Sequence, residues 1–577
     1  MPRCAQSATL ILAALLAACS AADINGTDGG IRIRDMDVSP ALDTIFVADT
    51  ITSGNVARYT ATAEGWTGGP ITGVHFSWST SNPAVALVDS TGVVHPVGIG
   101  SATITASAGK QASAVVVVQR ATSAIELAPV SITGVAGDTS QLVATAFAAN
   151  GDTVRGVRFV WASSDSAVAR VDSIGTLRLL SKGSALISVQ GNGSAAGDSI
   201  TVLPRVLVEL DAGRDFTCGS IPLGRGYCWG LGSAGQLGTT PDSSCFGDST
   251  QAGALSPCTL VPQRFAPELK LGRVTAGASV ACALTPAGQA YCWGDNALGQ
   301  LGNGSTGAPG PGPATVFTSM RFTTVSAGGS HVCALGGDGV AYCWGNDASG
   351  QLGDARRIHS TTPIPVMRGT QQFHAVAISA GSEHTCALAS GGAAWCWGEN
   401  SAGELGHGAD TTDSDQPVAV AGGFRFSAIS AGSTHSCAVS VDGAAYCWGD
   451  NAKGELGIGT AADTVTTPAK VSSTLRFTAI TAGDGYTCAL TTARAAVCWG
   501  RNDYGQLGIG SAGAPVSLPR AVAGSHHFTI ISAGRRHACG IDTGGVAYCW
   551  GSDVYGALGN ELQADERGTP VAVARPR

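Results

Sequence analysis

Cysteine is the residue type best placed for covalent chemistry in this chain. There are 18, and seven pairs share one spacing, with nine residues between partners. The pairs are Cys218 with Cys228, Cys282 with Cys292, Cys333 with Cys343, Cys386 with Cys396, Cys437 with Cys447, Cys488 with Cys498 and Cys539 with Cys549. A hairpin holding Cys386 and Cys396 in its arms turns at Gly391 and sets the two directly opposite each other. In a non-hydrogen-bonded antiparallel pair the Cα atoms lie about 4.5 Å apart, within disulfide range. The spacing predicts seven hairpin disulfides, each worth roughly 3 kcal/mol on the chain-entropy model. A zinc site would favour short Cys-x2-4-Cys knuckles, which are absent; free buried thiols are the other alternative. Cys245 and Cys258 lie together in an insertion and predict an eighth bridge, while Cys4 and Cys19 belong to the N-terminus. An even count without an orphan fits an oxidising compartment.

Other reactive residues carry weaker signals. His331, His384, His435 and His537 recur at one place in a repeat, but Phe216, Val280 and Tyr486 fill that place in other copies. A position that accepts Phe, Val and Tyr predicts packing or a local hydrogen bond rather than a metal. Arg356, Arg357 and His359 in one loop, and Asp410, Asp413 and Asp415 in the next, are candidate binding residues. No phosphate-cradling loop, His-Glu-x-x-His, Gly-x-Ser-x-Gly or Cys-x-x-Cys-His occurs; a non-enzymatic chain without cofactor is expected, with a hydrolase or lyase site on variable loops as the alternative.

The cysteines are positioned by a stretch that occurs seven times. Each copy opens on Ala-Gly (212, 276, 327, 380, 431, 482 and 533), places a Cys five residues after the Gly, and follows the second Cys with Trp-Gly. Each copy closes on Gly-x-Leu-Gly, as in Gly299-Gln300-Leu301-Gly302. The last five intervals are 51 to 53 residues and the first is 64, because copy one carries the insertion. Short apolar runs broken by Gly, Asn and Asp read as strands, and a period near 50 residues means an array or closed ring. Four strands per copy predict a seven-bladed β-propeller over residues 205–577. The strand near Thr569–Ala574 would complete the first blade and latch the ring. The Trp that follows every second Cys is the blade-packing residue. Insertions after Gly-x-Leu-Gly, at 239–265, 303–315, 354–360 and 409–416, should collect on one binding face.

The elements Gly-x-x-His-x-Cys-Ala-Leu, Cys-Trp-Gly-x-Asn and Gly-Gln-Leu-Gly resemble those of the regulator of chromosome condensation repeat family, including its bacterial and alpha-tubulin-suppressor-like members. The resemblance implies the propeller fold. It also implies a binding role, enzyme inhibition as in β-lactamase inhibitory protein II, or guanine-nucleotide exchange as in the family's namesake. No contact residue carries over from those relatives.

Residues 33–203 hold a second repeat of 83 residues, measured from Trp78 to Trp161, Gly92 to Gly175 and Gly100 to Gly183. Alternating strands over this length predict two Ig-like sandwiches at 33–119 and 120–204. Their Trp-Ser-Ser-x-x-x-x-Val-Ala-x-Val-Asp-x-x-Gly run resembles bacterial Ig-like domains of group 2, with Trp78 and Trp161 as core anchors and a stalk as the simpler role. Arg3, the apolar run Ala8–Ala18 and Leu16-Ala17-Ala18-Cys19 resemble a lipoprotein signal over residues 1–18, followed by a small polar tether at 19–32. Cys19 would carry the lipid; an ordinary secretory signal is the alternative.

The whole is expected to be all-β. A net charge of −8 argues against a nucleic-acid partner. The composite expectation is a monomeric lipoprotein of the outer membrane or cell surface. It touches the membrane through its lipid alone and binds an unidentified protein or glycan through the variable loops.

Overall fold

A computed structural model of the chain describes residues 32–47, 55–246, 255–308, 310, 312–461 and 464–576. The expected signal segment, Cys4, Cys19 and nearly all of the expected tether lie outside the described residues. The structure is all-β; among the described residues the one helical segment is a 3-10 turn at Pro222–Gly224. No helix there is long and apolar enough to cross a membrane. Two compact units divide near Val202, with residues 134–137 assigned to the second.

The first unit repeats one arrangement twice. Trp78 lies in a four-stranded sheet built on Gly100–Ser107 and Gln111–Arg120; Trp161 lies in its counterpart built on Gly183–Gly191 and Ser194–Leu203. Both tryptophans pack against the apolar core of their own half. The glycine of the Val-Asp-x-x-Gly run is needed for that packing. Gly92 has φ +83°, and a Cβ there would sit 2.4 Å from the Tyr59 carbonyl and 2.9 Å from the Trp78 ring. Asp89 and Asp172 close the preceding turns. Asp89 accepts the N–H groups of Thr91 and Val93, and Asp172 those of Ile174 and Thr176.

In the second unit each copy of the long repeat forms one antiparallel sheet, giving seven. Six have four strands, and sheet one gains a fifth, because Ser243–Phe246 pairs with Leu255–Arg264. The residues predicted as one long loop at 239–265 thus include the outer strand of sheet one. Within every sheet the two repeat cysteines are register partners, as Cys386 is to Cys396. From sheet one to sheet seven the disulfides join Cys218 to Cys228, Cys282 to Cys292, Cys333 to Cys343, Cys386 to Cys396, Cys437 to Cys447, Cys488 to Cys498 and Cys539 to Cys549. Their Cα atoms are 4.0–4.1 Å apart, closer than the spacing of about 4.5 Å expected for an open pair, because the bridge draws the two arms together. An eighth disulfide joins Cys245 to Cys258. Neighbouring sheets bury the tryptophans, cysteines and apolar strand faces between them; all seven repeat tryptophans are 0% exposed.

The predicted latch is absent. The last strand, Ala564–Ala572, pairs with Ala547–Asp553 of its own repeat, and sheet one takes its outer strand from within copy one. Glu209–Ala212, in the run that precedes the first copy, is the innermost strand of sheet one, so no copy is short of a strand. Side chains make the joint between sheets seven and one instead. Ser532 donates to Asp211, and Thr217 meets His537.

Candidate functional site

Antiparallel order brings particular segments to one end of every sheet. The first and third strands run the same way, so the Ala-Gly turns and the Gly-x-Leu-Gly loops emerge on the same face. On that face the Ala-Gly turns surround an axial cavity of about 380 Å³. Three sets of bonds between sheets hold the turns in place.

In the first set, the N–H of each repeat Ala donates to the side chain just before the Ala-Gly of the preceding sheet. All seven are made, as in Ala431 to Ser379 and Ala533 to Thr481. Six acceptors are Ser or Thr; the seventh is Asp211. In the second set, made in six copies, the residue after the Gly donates its N–H to the Gly carbonyl of the next sheet, as Ser382 does to Gly432. These glycines have ordinary negative φ; their need is space. A Cβ on Gly277 would stand 2.2 Å from the Gly328 carbonyl, and one on Gly534 2.2 Å from that of Gly213.

The third set explains the histidines. His331, His384, His435 and His537 each meet, through Nε2 at 2.8–2.9 Å, a hydroxyl on the next sheet: Thr385, Ser436, Thr487 and Thr217. Each hydroxyl in turn donates to a carbonyl of the Gly-x-Leu-Gly segment, to which the repeat Trp also donates; Ser436 and Trp448 share Glu404 O. The hydroxyl proton is thereby committed, so the imidazole is the donor at Nε2. Burial holds His331 and His435 down to about 3, and His384 and His537 down to about 4, so all four are neutral at physiological pH. Where a copy has Phe216, Val280 or Tyr486 instead, the next sheet carries Ala281, Val332 or Ala538. That pairing is present in the sequence, but only for a reader who compares each histidine place with the following place one copy later. Among the described residues no three His, Cys, Asp or Glu side chains gather as a metal would need.

The six charged residues singled out from the loops lie on sheets three and four, and most of them serve the loops themselves. Arg357 sits 3.7 Å from Asp413 and 3.9 Å from Asp415, tying one loop to the next. Arg356 reaches Asp354 at 3.6 Å. His359 Nδ1 accepts the Asp347 N–H, and Asp410 accepts the Thr412 N–H, which holds its carboxyl below the usual range. Beside them Asn346 and Gln351 donate to Glu383, whose carboxyl is raised by burial and by Glu399. A second charged cluster, not anticipated from the sequence, lies where sheets six, seven and one meet. Arg535 is 3.3 Å from Asp484, Arg501 is 3.8 Å from the same Asp and 2.7 Å from Asp503, and Arg214 is 3.4 Å from Asp215. These arginines are scattered in sequence, and only the closed ring brings them together.

A family model for the RCC1-like domain matches residues 196–577. The chain belongs to the RCC1-like domain family. Its match to the ultraviolet-B receptor UVR8 of Arabidopsis thaliana is 31% identical and covers 54% of this chain and 71% of that protein. The match to the human E3 ubiquitin-protein ligase HERC2 is 29% identical over 63% of this chain but spans 8% of that protein. Among solved structures, human WBSCR16 superposes with a TM-score of 0.54 at 21% identity, covering 61% of this chain and 95% of that one. Yeast RCC1 (Prp20), solved bound to Kap60, gives 0.53 at 21% identity, covering 64% and 85%. These likenesses establish the propeller fold of the RCC1-like unit. A second family model, for the immunoglobulin-like domain of intimin, matches residues 62–110.

Proposed function

We propose that this RCC1-like chain is a non-enzymatic recognition module working outside the cytoplasm. In this reading the seven sheets are the blades of a closed propeller, carried on two Ig-like domains and a lipid at Cys19 in the outer membrane or at the cell surface. The module is a monomer that binds a protein or glycan through the face bearing the axial mouth. The observation that carries the reading is the distribution of charge there. The strands repeat Cys and Trp copy after copy, whereas the residue after each Ala-Gly changes from Arg214 to Ser382 to Asp484. Residues that vary on an invariant scaffold are what a binding face needs. Eight disulfides with buried sulfurs support an oxidising compartment, which disfavours nucleotide exchange on an intracellular GTPase. The name of the receptor relative is consistent with a binding role, and the ligase activity of HERC2 is not carried over, because the match spans so little of it.

The test is partner capture by crosslinking to the exported chain, with segments 239–265 and 354–370, each a loop with the outer strand of its sheet, exchanged for the corresponding segments of another copy. Loss of the captured partner is expected. Unchanged capture would remove the loop face from consideration. A captured partner that is an enzyme losing activity in the complex would favour inhibition, the second role open to this face.

A further inference from the structure

The mouth of the ring is electrically lopsided. Arg501, Arg535, Arg536 and Arg214 follow one another on three adjacent sheets, six, seven and one, and Arg535 and Arg214 line the axial cavity. They share three carboxylates, those of Asp484, Asp503 and Asp215. The Tyr504 ring makes a cation–π contact with each of Arg501, 5.5 Å from its centroid, and Arg536, 4.8 Å away, which restrains both guanidiniums. Three of the side chains remain within reach of a ligand: Arg214 is 51% exposed, Arg535 32% and Arg501 27%. Across the mouth, on sheet four, stand Glu383 and Glu399.

We infer that this arc of arginines docks an acidic peptide segment of the partner, which lays successive carboxylates across the guanidiniums at the lip of the axial cavity. The inference rests on the recognition role proposed above and names its chemistry. Guanidinium forks match carboxylates bidentately, and arginines already held by a ring and by ion pairs lose little freedom on binding. Because the arginines are strung along an arc, the fitting ligand carries several carboxylates in series. Alternate residues of an extended peptide on one side are about 6.6 Å apart. A long polyanion would run on into Glu383 and Glu399, whereas a protein segment can confine its acidic residues to the basic arc.

The experiment is fluorescence anisotropy of a labelled tetraglutamate peptide titrated into the full exported chain. The key variant is Arg214→Ser with Arg535→Ser. Serine stands at the equivalent places in copies four and five as Ser382 and Ser433, so the ring tolerates it, and an unchanged melting midpoint would verify this. The expected result is saturable binding that weakens about tenfold in the double variant and falls as salt is raised. Arg476→Ser, at the opposite face beside Asp442, should bind like the parent chain. The inference is overturned if the parent chain does not bind the peptide or if the double variant binds equally well. It is also overturned if a tetragalacturonate of equal charge binds as tightly. If partner capture survives the double variant but is lost on loop exchange, the acidic-peptide inference fails while the recognition reading stands.

Discussion

Two buried carboxylic acids are the most informative single residues of the ring. Glu404 and Glu455 occupy the x of Gly-x-Leu-Gly, where copies one, two, three and six have Gln236, Gln300, Gln351 and Gln506. One carboxyl oxygen of each accepts a turn N–H, from Ala402 and Lys453, and the other is buried without a partner. Burial, with Glu399 beside one and Asp450 beside the other, pushes both up to about 7. The unfolded value is about 4.3. Their contribution to stability is therefore full below that pH and is lost as pH rises through 7. Gln300 indicates the remedy, since its amide donates to Asp295, at the position of Glu399 and Asp450. Glu404→Gln and Glu455→Gln should each stabilise the ring by about 1–3 kcal/mol at pH 8 and change little at pH 5, as read from denaturant midpoints at the two pH values. The histidines act in the opposite sense. Their folded values of about 3 to 4 lie below an unfolded value of about 6.5, so the stability they contribute is present above pH 6.5 and is lost as pH falls through 4. The His384–Ser436 bond can be isolated by a double-mutant cycle toward the Val280 and Val332 pair of other copies. His384→Val and Ser436→Val should each destabilise, and the coupling should be about 1 kcal/mol.

At the scale of the element, the hairpin disulfide is the unit that repeats. Cysteine pairing was legible from spacing because a hairpin of fixed length allows one set of opposed residues. How deeply the bridges lie was not, since it depends on the neighbouring sheet. Every cysteine of the seven hairpin bridges is 0% exposed, and the hydroxyls of Thr385 and Ser436 contact the sulfurs of Cys333 and Cys386 on the preceding sheet. Reductant should therefore act on the ring only after the sheets part. Intact mass after alkylation should show no hairpin cysteine modified in folded protein treated with reductant, and 14 hairpin additions once denaturant is present. Modification under native conditions would show that the sheets open locally.

At the scale of the whole molecule, the ring is closed by side chains rather than by an exchanged strand. Asp211 is central to the seam, accepting from Ser532 on sheet seven and from Thr275 and Ala276 on sheet two. Its carboxyl is raised by burial, against the pull of those donors. Asp211→Ala should unfold the ring at lower denaturant, by about 1–3 kcal/mol, while Asp211→Ser, the residue type of other copies, should restore much of the loss. Equal midpoints for all three proteins would show that the seam lies elsewhere. The sequence by itself determined the strand content, the sevenfold unit, the cysteine pairs and the duplicated 83-residue segment, because turn chemistry, alternation and period act over a few residues. Only the tertiary structure decided which strand finishes each sheet, which hydroxyl each histidine meets, that Arg357 is spent on Asp413, and that Arg214, Arg501, Arg535 and Arg536 stand together. Those outcomes depend on contacts between sheets, and the joint of sheets seven and one unites residues about 320 positions apart, a proximity that no local rule encodes.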